Sequence, residues 1–170
     1  APGLVTRAPP VGFKYIGELL RTGQYLLGGE ESGGLSIAGH VPDKDGILAV
    51  LLVLEVACAE GVPLANFRDR LFKRVGAFHH GKDLLRLERS RQALEVEERL
   101  RVRPPLELAG GSVWRIDQSD GFKFILRDGS WLCVRSQPPE PVFRIYAEAP
   151  TPKKLASLLR AGKKLLQGRF

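Results

Sequence analysis

The chain has 170 residues, of which 44% are hydrophobic, and its formal net charge is +7 at neutral pH. This length can bury a hydrophobic core, as one domain or as two small ones. The N-terminus lacks the basic and apolar segments of a secretory signal. The longest apolar stretch, residues 47–59, is interrupted by Glu55 and is shorter than the roughly 20 residues of a membrane span. We therefore expect a soluble protein.

The positive charge indicates an anionic partner, which is nucleic acid, an anionic membrane or a phosphorylated metabolite. Nucleic acid is disfavoured because the basic face of the last predicted helix has no aromatic side chains on which bases could stack. We expect neither nucleic acid nor a membrane as partner. The basic residues of that helix face are Lys153, Lys154, Arg160, Lys163 and Lys164.

The two cysteines, Cys58 and Cys133, lie in apolar runs and not in Cys-x-x-Cys spacing. Free cysteine behaves as a small hydrophobic residue, so both are predicted to be buried, as is typical of a protein in the reducing cytoplasm. The chain begins at Ala1 and contains no methionine. From this we expect a fragment or a processed piece of a longer chain.

The first half of the chain alternates between helix-like and strand-like segments, which is typical of an α/β domain. Too few strands precede the glycine-rich stretch to build a sheet, so we expect only part of such a domain. The helix over residues 47–60 is apolar nearly all round and is predicted to be buried, with Asp43 or Asp45 capping its start. The predicted elements are a helix over residues 12–20, a strand over 25–27, a glycine-rich loop over 28–34, and helices over 47–60 and 63–75.

The second half has a different pattern, that of a small α+β domain. Asp-Gly pairs at Asp120 and Asp128 separate strand-like runs, and this dipeptide favours the tight turns of β-hairpins. Thr151 caps a last helix. The predicted elements are a connector over residues 77–111 with a helix over 88–100, four antiparallel strands over 112–117, 122–126, 131–135 and 142–148, and the last helix. We therefore predict a mixed α/β and α+β fold, with domains at residues 1–76 and 77–170.

The glycine-rich loop over residues 29–34 is the first candidate site. An ionised carboxylate accepts hydrogen bonds only, and adjacent sugar hydroxyls donate them, so Glu30 and Ser32 could pair with vicinal hydroxyls. The flanking glycines let the backbone approach a ligand closely. The alternative is an ordinary polar turn, since acidic glycine-rich turns are common.

Arg135 and Arg144 flank the second candidate site, the loop over residues 136–141 between the last two strands. If those strands pair antiparallel, both guanidinium groups converge on the mouth of the loop and could clamp a phosphate. The alternative is that two arginines at strand ends face solvent.

Lys44 precedes the apolar helix and is the third candidate, because an ammonium group beside a helix N-terminus favours an anion. Asp43 and Asp45 also have the spacing of a metal-binding Asp-x-Asp, but helix capping explains both, and no metal site is predicted. The histidines have no metal-ligand spacing. No nucleotide-binding or nucleophile motif occurs.

The order of these motifs closely resembles the α-D-phosphohexomutase family, in its bacterial phosphoglucomutase/phosphomannomutase branch. The resemblance covers nearly the whole chain. The matching segments are PVGFKYIG at residues 10–17, GGEESGGLSI at 28–37, GHVPDKDGILA at 39–49, PPLELAG at 104–110, DGFKF at 120–124, DGSW at 128–131 and RIYAEA at 144–149.

The resemblance implies a four-domain enzyme that interconverts hexose 1- and 6-phosphates through a phosphoserine and a bisphosphorylated sugar. This chain would be the end of domain three followed by domain four, a TATA-binding-protein-like sheet with helices that binds phosphate. Glu30 and Ser32 would hold sugar hydroxyls, Gly12 and Lys14 would recognise the sugar's orientation, and Lys44 would approach phosphate. Magnesium and a hexose 1,6-bisphosphate activator are implied for the full-length enzyme, and this chain itself is expected to bind no cofactor.

The chain departs from the family pattern in two ways. The nucleophile loop Thr-Ala-Ser-His-Asn-Pro and the magnesium loop Asp-x-Asp-x-Asp-Arg belong to the first two domains and do not occur here, so we expect no catalytic residue in this chain and no activity without domains one and two. The phosphate loop Arg-Pro-Ser-Gly-Thr-Glu-Pro appears as RSQPPEP over residues 135–141. Proline lacks an N–H group, so phosphate binding is expected to be weakened, with Ser136 and Gln137 as substitute donors beside Arg135 and Arg144.

Two functions remain from this sequence. The first is a phosphohexomutase fragment that prefers glucose phosphates, because Glu-Glu-Ser-Gly-Gly is nearer to the phosphoglucomutase pattern. The alternative is a non-catalytic sugar-phosphate-binding or regulatory module, which the altered loop over residues 135–141 favours.

Overall fold

The computed structural model describes residues 5–168, without the side chains of residues 90 and 91. The chain divides into two compact units, with the division between Arg74 and Val75. The predicted domain boundary lies after residue 76. The mixed class of the prediction is confirmed, with helices and a small hairpin in unit 1 and helices on an antiparallel sheet in unit 2.

The described part of unit 1, from residue 5 onwards, contains three helices and one hairpin. The helix predicted over residues 12–20 begins and ends one residue later, and the predicted strand is displaced towards the glycine-rich loop. Phe13, Ile16 and Leu20 lie on one face of the first helix and form a small core with Tyr25. The elements are α1 (Phe13–Arg21), β1 (Leu27–Gly29), β2 (Leu35–Ile37), α2 (Gly46–Glu60) and α3 (Leu64–Val75).

Two glycines let α1 approach its neighbours closely. A Cβ atom on Gly17 would lie 2.1 Å from the carbonyl oxygen of Pro42, and one on Gly28 would lie 2.2 Å from Cγ2 of Ile16. Real Cβ atoms do not approach other heavy atoms so closely, so a larger residue at either position would displace backbone or core. Packing of α1 thus holds both the hairpin and the segment that precedes α2.

The prediction of a buried helix over residues 47–60 is wrong for this structure. No residue of α2 is buried, and the exposed fraction of Ile47 is 77%. The sheet described in unit 1 has two short strands, which is too narrow to cover a helix that is apolar all round. Cys58, on the same helix, is exposed for the same reason, contrary to expectation.

No single helix in residues 5–168 is long and apolar enough to cross a lipid bilayer. Helices α2 and α3 meet the length and composition criteria together, as a pair bent by 82° at the break between them.

Unit 2 is a six-stranded antiparallel sheet with two helices. The strand order is β3-β8-β7-β6-β5-β4, so the prediction of four strands is corrected to six. Edge strands β3 and β4 both come from the stretch predicted as a connector. The elements are β3 (His79–Arg86), α4 (Ser90–Val102), β4 (Glu107–Leu108), β5 (Gly111–Asp117), β6 (Phe122–Leu126), β7 (Trp131–Gln137), β8 (Glu140–Ala149) and α5 (Pro152–Leu166).

The core of unit 2 lies between the sheet and its helices. Alternate residues of the central strands point towards α4 and α5, as the period of two in a strand requires. The largest of them, Phe124 and Phe143, are fully buried. Leu100 on α4 and Leu158 on α5 complete the core from the helical side. This packing holds the β7–β8 turn at one end of the sheet, next to α4.

Candidate functional site

The glycine-rich loop closes the β1–β2 hairpin. The backbone N–H of Glu30 donates to the carbonyl of Gly34 at 2.8 Å, and the N–H of Gly33 donates to the carbonyl of Glu30 at 3.0 Å. Gly33 has a φ of +93°, which side chains rarely adopt. The loop is therefore a closed turn whose backbone shape depends on glycine.

Glu30 and Lys44, predicted separately as sugar and phosphate ligands, lie side by side in unit 1. The Lys44 Nζ to Glu30 Oε2 distance is 3.8 Å. The Glu30 side chain is 20% exposed and that of Lys44 is 61% exposed. A Cβ atom on Gly34 would lie 3.2 Å from Cδ of Lys44, so the lysine stem runs across the glycine. A carboxylate that can accept hydrogen bonds from hydroxyl groups, Glu30, and a cation, Lys44, thus lie together on one small surface.

The segment before α2 is held by contacts that the sequence did not reveal. The buried hydroxyl of Ser36 donates to the carbonyl of Val41 at 2.6 Å. His40 Nε2 lies 2.9 Å from Asp45 Oδ2, and the N–H of Asp45 donates to the carbonyl of Leu35 at 3.1 Å. These contacts tie both ends of the segment to β2 and so position Lys44. The only signal in the sequence was a serine and a histidine, Ser36 and His40, shortly before the Pro-Asp-Lys-Asp turn.

Asp45 is the N-cap of α2, one of the two residues predicted for that role. Its Oδ1 accepts hydrogen bonds from the backbone N–H groups of Ile47 at 2.9 Å and Leu48 at 3.0 Å. The pKa of Asp45 is lowered from its ordinary value of 3.8, first by the hydrogen bond from Leu48 and next by that from His40. The carboxylate form is therefore stabilised in the folded chain.

This shift predicts an acid-sensitive helix start. A carboxyl group whose pKa is lower in the folded state contributes stability above its unfolded pKa and loses that contribution as the pH falls through the folded value. We expect the Leu48 amide resonance to titrate with a midpoint below 3.8. In Asp45→Asn, which retains a capping side chain, this titration should disappear. An NMR pH titration of both proteins checks this, and an unchanged Leu48 profile in the variant would contradict it.

The remaining predicted sugar ligands are Gly12, Lys14 and Ser32. Gly12 precedes α1 with a φ of +129°. The Lys14 ammonium lies 4.7 Å from the centre of the Tyr15 ring, and Ser32 is exposed at the tip of the loop. Among residues 5–168, no hydrogen bond or ion pair joins Ser32, Gly12 or Lys14 to Glu30, and their roles stay predictions.

The second candidate loop is a tight turn between β7 and β8. These strands pair antiparallel, as expected, and Arg135 lies directly opposite Arg144. The ladder extends to the pair Gln137 and Glu140. Pro138 and Pro139 are the two residues between the strands, and neither has an N–H group to offer an anion.

The side chains predicted to bind phosphate here are engaged within the chain. Arg135 Nη1 donates to Asp120 Oδ2 at 3.2 Å, the Ser136 hydroxyl donates to Glu97, and Arg144 Nε donates to the Gln137 side chain. The expected convergence of both guanidinium groups is therefore replaced by separate internal contacts. Three of the four predicted residues still line one cleft of about 430 Å³. Its lining residues are Glu97, Arg101, Gln118, Asp120, Gly121, Phe122, Arg135, Ser136, Gln137 and Pro138.

Cys133, predicted to be buried, is partly buried on β7. Burial raises the pKa of the Cys133 thiol to about 11, so it stays protonated at neutral pH. No group of three or more His, Cys, Asp or Glu side chains in the described part of the chain could hold a metal ion.

The chain is similar to phosphosugar mutases in sequence and in structure. Residues 3–75 match the model of the phosphoglucomutase/phosphomannomutase alpha/beta/alpha domain III. A phosphoglucomutase/phosphomannomutase of Thermococcus kodakarensis is 31% identical over 157 residues, and the match covers 92% of this chain. A phosphoglucosamine/phosphogalactosamine mutase of Sulfurisphaera tokodaii is 31% identical over 144 residues, or 85% of this chain.

A solved structure of similar fold is that of a putative phosphomannomutase from Thermus thermophilus, with 33% identity and a TM-score of 0.73. The match covers 98% of this chain and 32% of that structure. The two sequence relatives are covered over 32% and 30% of their lengths. The chain thus spans about a third of the proteins it matches.

Proposed function

The chain belongs to the phosphohexomutase family, and from that premise we propose that it is the sugar- and phosphate-binding part of a phosphoglucomutase-like isomerase. The observation that carries the proposal is the pairing of Glu30, on the glycine-rich loop, with Lys44, in the segment before α2. In this proposal the enzyme interconverts hexose 1-phosphate and hexose 6-phosphate.

Unit 1 would recognise the hexose through groups of opposite charge. The Glu30 carboxylate accepts hydrogen bonds from two adjacent hydroxyls, and the Ser32 hydroxyl adds a further partner. Lys44, which is mostly exposed, neutralises charge on the substrate phosphate and keeps the Glu30 carboxylate oriented. The ammonium group holds its position because Ser36, His40 and Asp45 anchor the segment that carries it.

The chain alone would bind substrate without turning it over. Phosphoryl transfer needs a group that accepts and returns the phosphoryl group, and no motif of that kind is present in the sequence. The magnesium ion implied by the family does not fit this chain, since the described residues contain no ligand cluster for it. Domains one and two of a full-length enzyme would supply both the phosphoryl-accepting group and the magnesium site. We propose that this enzyme acts in the cytoplasm.

The preferred sugar is proposed to be glucose, from the Glu-Glu-Ser-Gly-Gly loop over residues 30–34. Mannose and amino sugars are the competitors, since the relatives include enzymes named for each. Competition among glucose, mannose and glucosamine 6-phosphates for the chain would rank them. If glucosamine 6-phosphate binds more tightly than glucose 6-phosphate, the proposed preference for glucose is wrong.

A second function is favoured by one observation in unit 2. The hydrogen-bond donors of the altered loop are engaged by Asp120, Glu97 and Gln137. A module that binds sugar phosphate without turning it over could tolerate this loss of donors. Adding domains one and two of a relative in trans distinguishes the two functions. A restored mutase rate supports the enzyme, whereas binding without turnover supports the module.

The role of Lys44 provides the direct test of the proposed phosphate contact. Lys44→Ala should weaken binding of glucose 6-phosphate roughly 5- to 10-fold, because an exposed cation near a dianion loses part of its effect to solvent. Lys73→Ala, a change of the same kind on α3 outside the loop, should alter it less than about twofold. Isothermal titration calorimetry measures both. Equal affinities of the two variants for glucose 6-phosphate would show that Lys44 does not contact the phosphate.

A further inference from the structure

The cleft beside the β7–β8 turn pairs the predicted phosphate donors with carboxylates of the same chain. Arg135 and Ser136 both line it, and so do Asp120 and Glu97. A carboxylate oxygen and a phosphate oxygen compete for the same N–H and O–H donors. The occupancy of these donors therefore decides whether an anion can bind here.

Asp120 lies close to β7 because the next residue, Gly121, packs directly on that strand. A Cβ atom on Gly121 would lie 2.6 Å from the carbonyl of Val134 and 3.1 Å from Cα of Arg135, so the β5–β6 turn lies directly on that strand. The side chains of Arg135 and Asp120 are 23% and 28% exposed. Their ion pair is thus partly shielded from solvent, and an arriving anion must compete with it.

Glu97 reaches the same cleft from the helical side. It lies on α4, one turn before Arg101, and accepts a hydrogen bond from the hydroxyl group of Ser136. The serine hydroxyl has one proton, so it cannot donate to a phosphate while it donates to Glu97. The prolines of the turn add no backbone donor in compensation.

We propose that Asp120 and Glu97 are specificity-determining carboxylates that occupy Arg135 and Ser136 as internal anions, so that the phosphate group of a sugar phosphate binds this cleft only by displacing them. The inference rests on the proposed function, because it concerns how unit 2 binds the phosphate group of a sugar phosphate. In this proposal the two carboxylates weaken the binding of phosphate, in addition to the effect of the two prolines.

Substitutions that keep the shape of these side chains and remove their charge test the proposal. In Asp120→Asn and Glu97→Gln a neutral amide oxygen accepts more weakly from Arg135 or Ser136 than the carboxylate does, so phosphate displaces it more easily. The repulsion between the carboxylate and phosphate is also lost. Each variant should bind inorganic phosphate about 10-fold more tightly, as expected for one unit charge removed at close range. Asp69→Asn removes the same charge from an Arg–Asp pair on α3 and is the matched control.

The experiment titrates inorganic phosphate and glucose 6-phosphate into the whole chain by calorimetry. Tighter phosphate binding by Asp120→Asn and by Glu97→Gln, with Asp69→Asn unchanged, supports the proposal. If neither variant binds more tightly while Arg135→Ala binds more weakly, the carboxylates orient the donors and do not compete with phosphate. The inference is then wrong, whereas the proposed function is unaffected. If Arg135→Ala also leaves binding unchanged, the cleft is no phosphate site, and the inference falls together with this part of the proposed function.

Discussion

Glu30→Ala should lower the affinity for glucose 6-phosphate roughly 10- to 100-fold, the largest effect expected from one side chain in this molecule. The proposed role of the carboxylate is to accept hydrogen bonds from two sugar hydroxyls, and hydrogen bonds to a charged group contribute about 1.5–3 kcal/mol. The substitution also removes the partner of Lys44 at 3.8 Å, which loosens the contact with phosphate.

The neighbouring carboxylate supplies a matched control for this prediction. Glu31 is exposed in the same turn and is not among the predicted contacts, so Glu31→Ala should change the affinity less than about twofold. Both changes remove one negative charge from the loop. Equal losses in the two variants would mean that the loop attracts its ligand through overall charge, and the assignment of Glu30 to the hydroxyls would be wrong.

Gly17→Ala should disorder the segment that carries Lys44, because Gly17 packs directly against Pro42 in that segment. The new Cβ atom would lie 2.1 Å from the carbonyl oxygen of Pro42, which is backbone and cannot rotate away. Overpacking of this kind costs about 1–3 kcal/mol. Hydrogen–deuterium exchange reports on unit 1 separately from unit 2, and we expect faster exchange over α1 (Phe13–Arg21) and over the segment that carries Pro42 and Lys44.

A second glycine-to-alanine change separates this clash from the general effect of the substitution. Gly46 begins α2, and a Cβ atom there would meet no heavy atom within 4 Å. Gly46→Ala should therefore leave exchange in α1 unchanged and leave α2 folded, since alanine is tolerated in helices better than glycine. Unchanged exchange of α1 in Gly17→Ala would show that the approach of α1 to Pro42 is not needed for the fold.

Most elements of the fold follow from local patterns in the sequence. The helices were predicted from apolar spacing and caps, and Thr151 caps α5 as expected, accepting from the N–H of Lys154. The central hairpins were predicted from their Asp-Gly turns. Strand β3, with the sequence HHGKDLLR, was missed because it begins with polar residues and glycine, which have low strand preference. It is a strand because β8 offers a full edge with which to pair.

The exposed helix α2 shows where an inference from hydrophobicity depends on the surroundings. Its composition predicts burial, but burial requires another layer, and the described part of unit 1 provides a two-stranded hairpin. Apolar surface of this extent is typical of a face that contacts other protein. The sequence determines that the helix forms, whereas its environment is set by elements that the pattern of α2 does not encode.

The arrangement of the candidate residues was predicted only in part, and their roles as ligands stay predictions. Glu30 and Lys44 were identified from the glycine-rich loop and from the helix start, but their contact depends on tertiary packing of the hairpin. The internal pairs of Arg135 and Ser136 were not predicted. They depend on the position of the β5–β6 turn against β7 and on the face that α4 presents, which are set by the whole sheet.

The central claim, that this chain holds a phosphorylated hexose and does not convert it, is tested most directly by NMR. Glucose 6-phosphate is titrated into the isotopically labelled chain while the sugar resonances are followed in the same tube. We expect saturable shifts at the amides of residues 29–34 and Lys44, with no appearance of glucose 1-phosphate. Absence of shifts in that loop at saturating sugar phosphate, or formation of glucose 1-phosphate by the chain alone, would contradict the account.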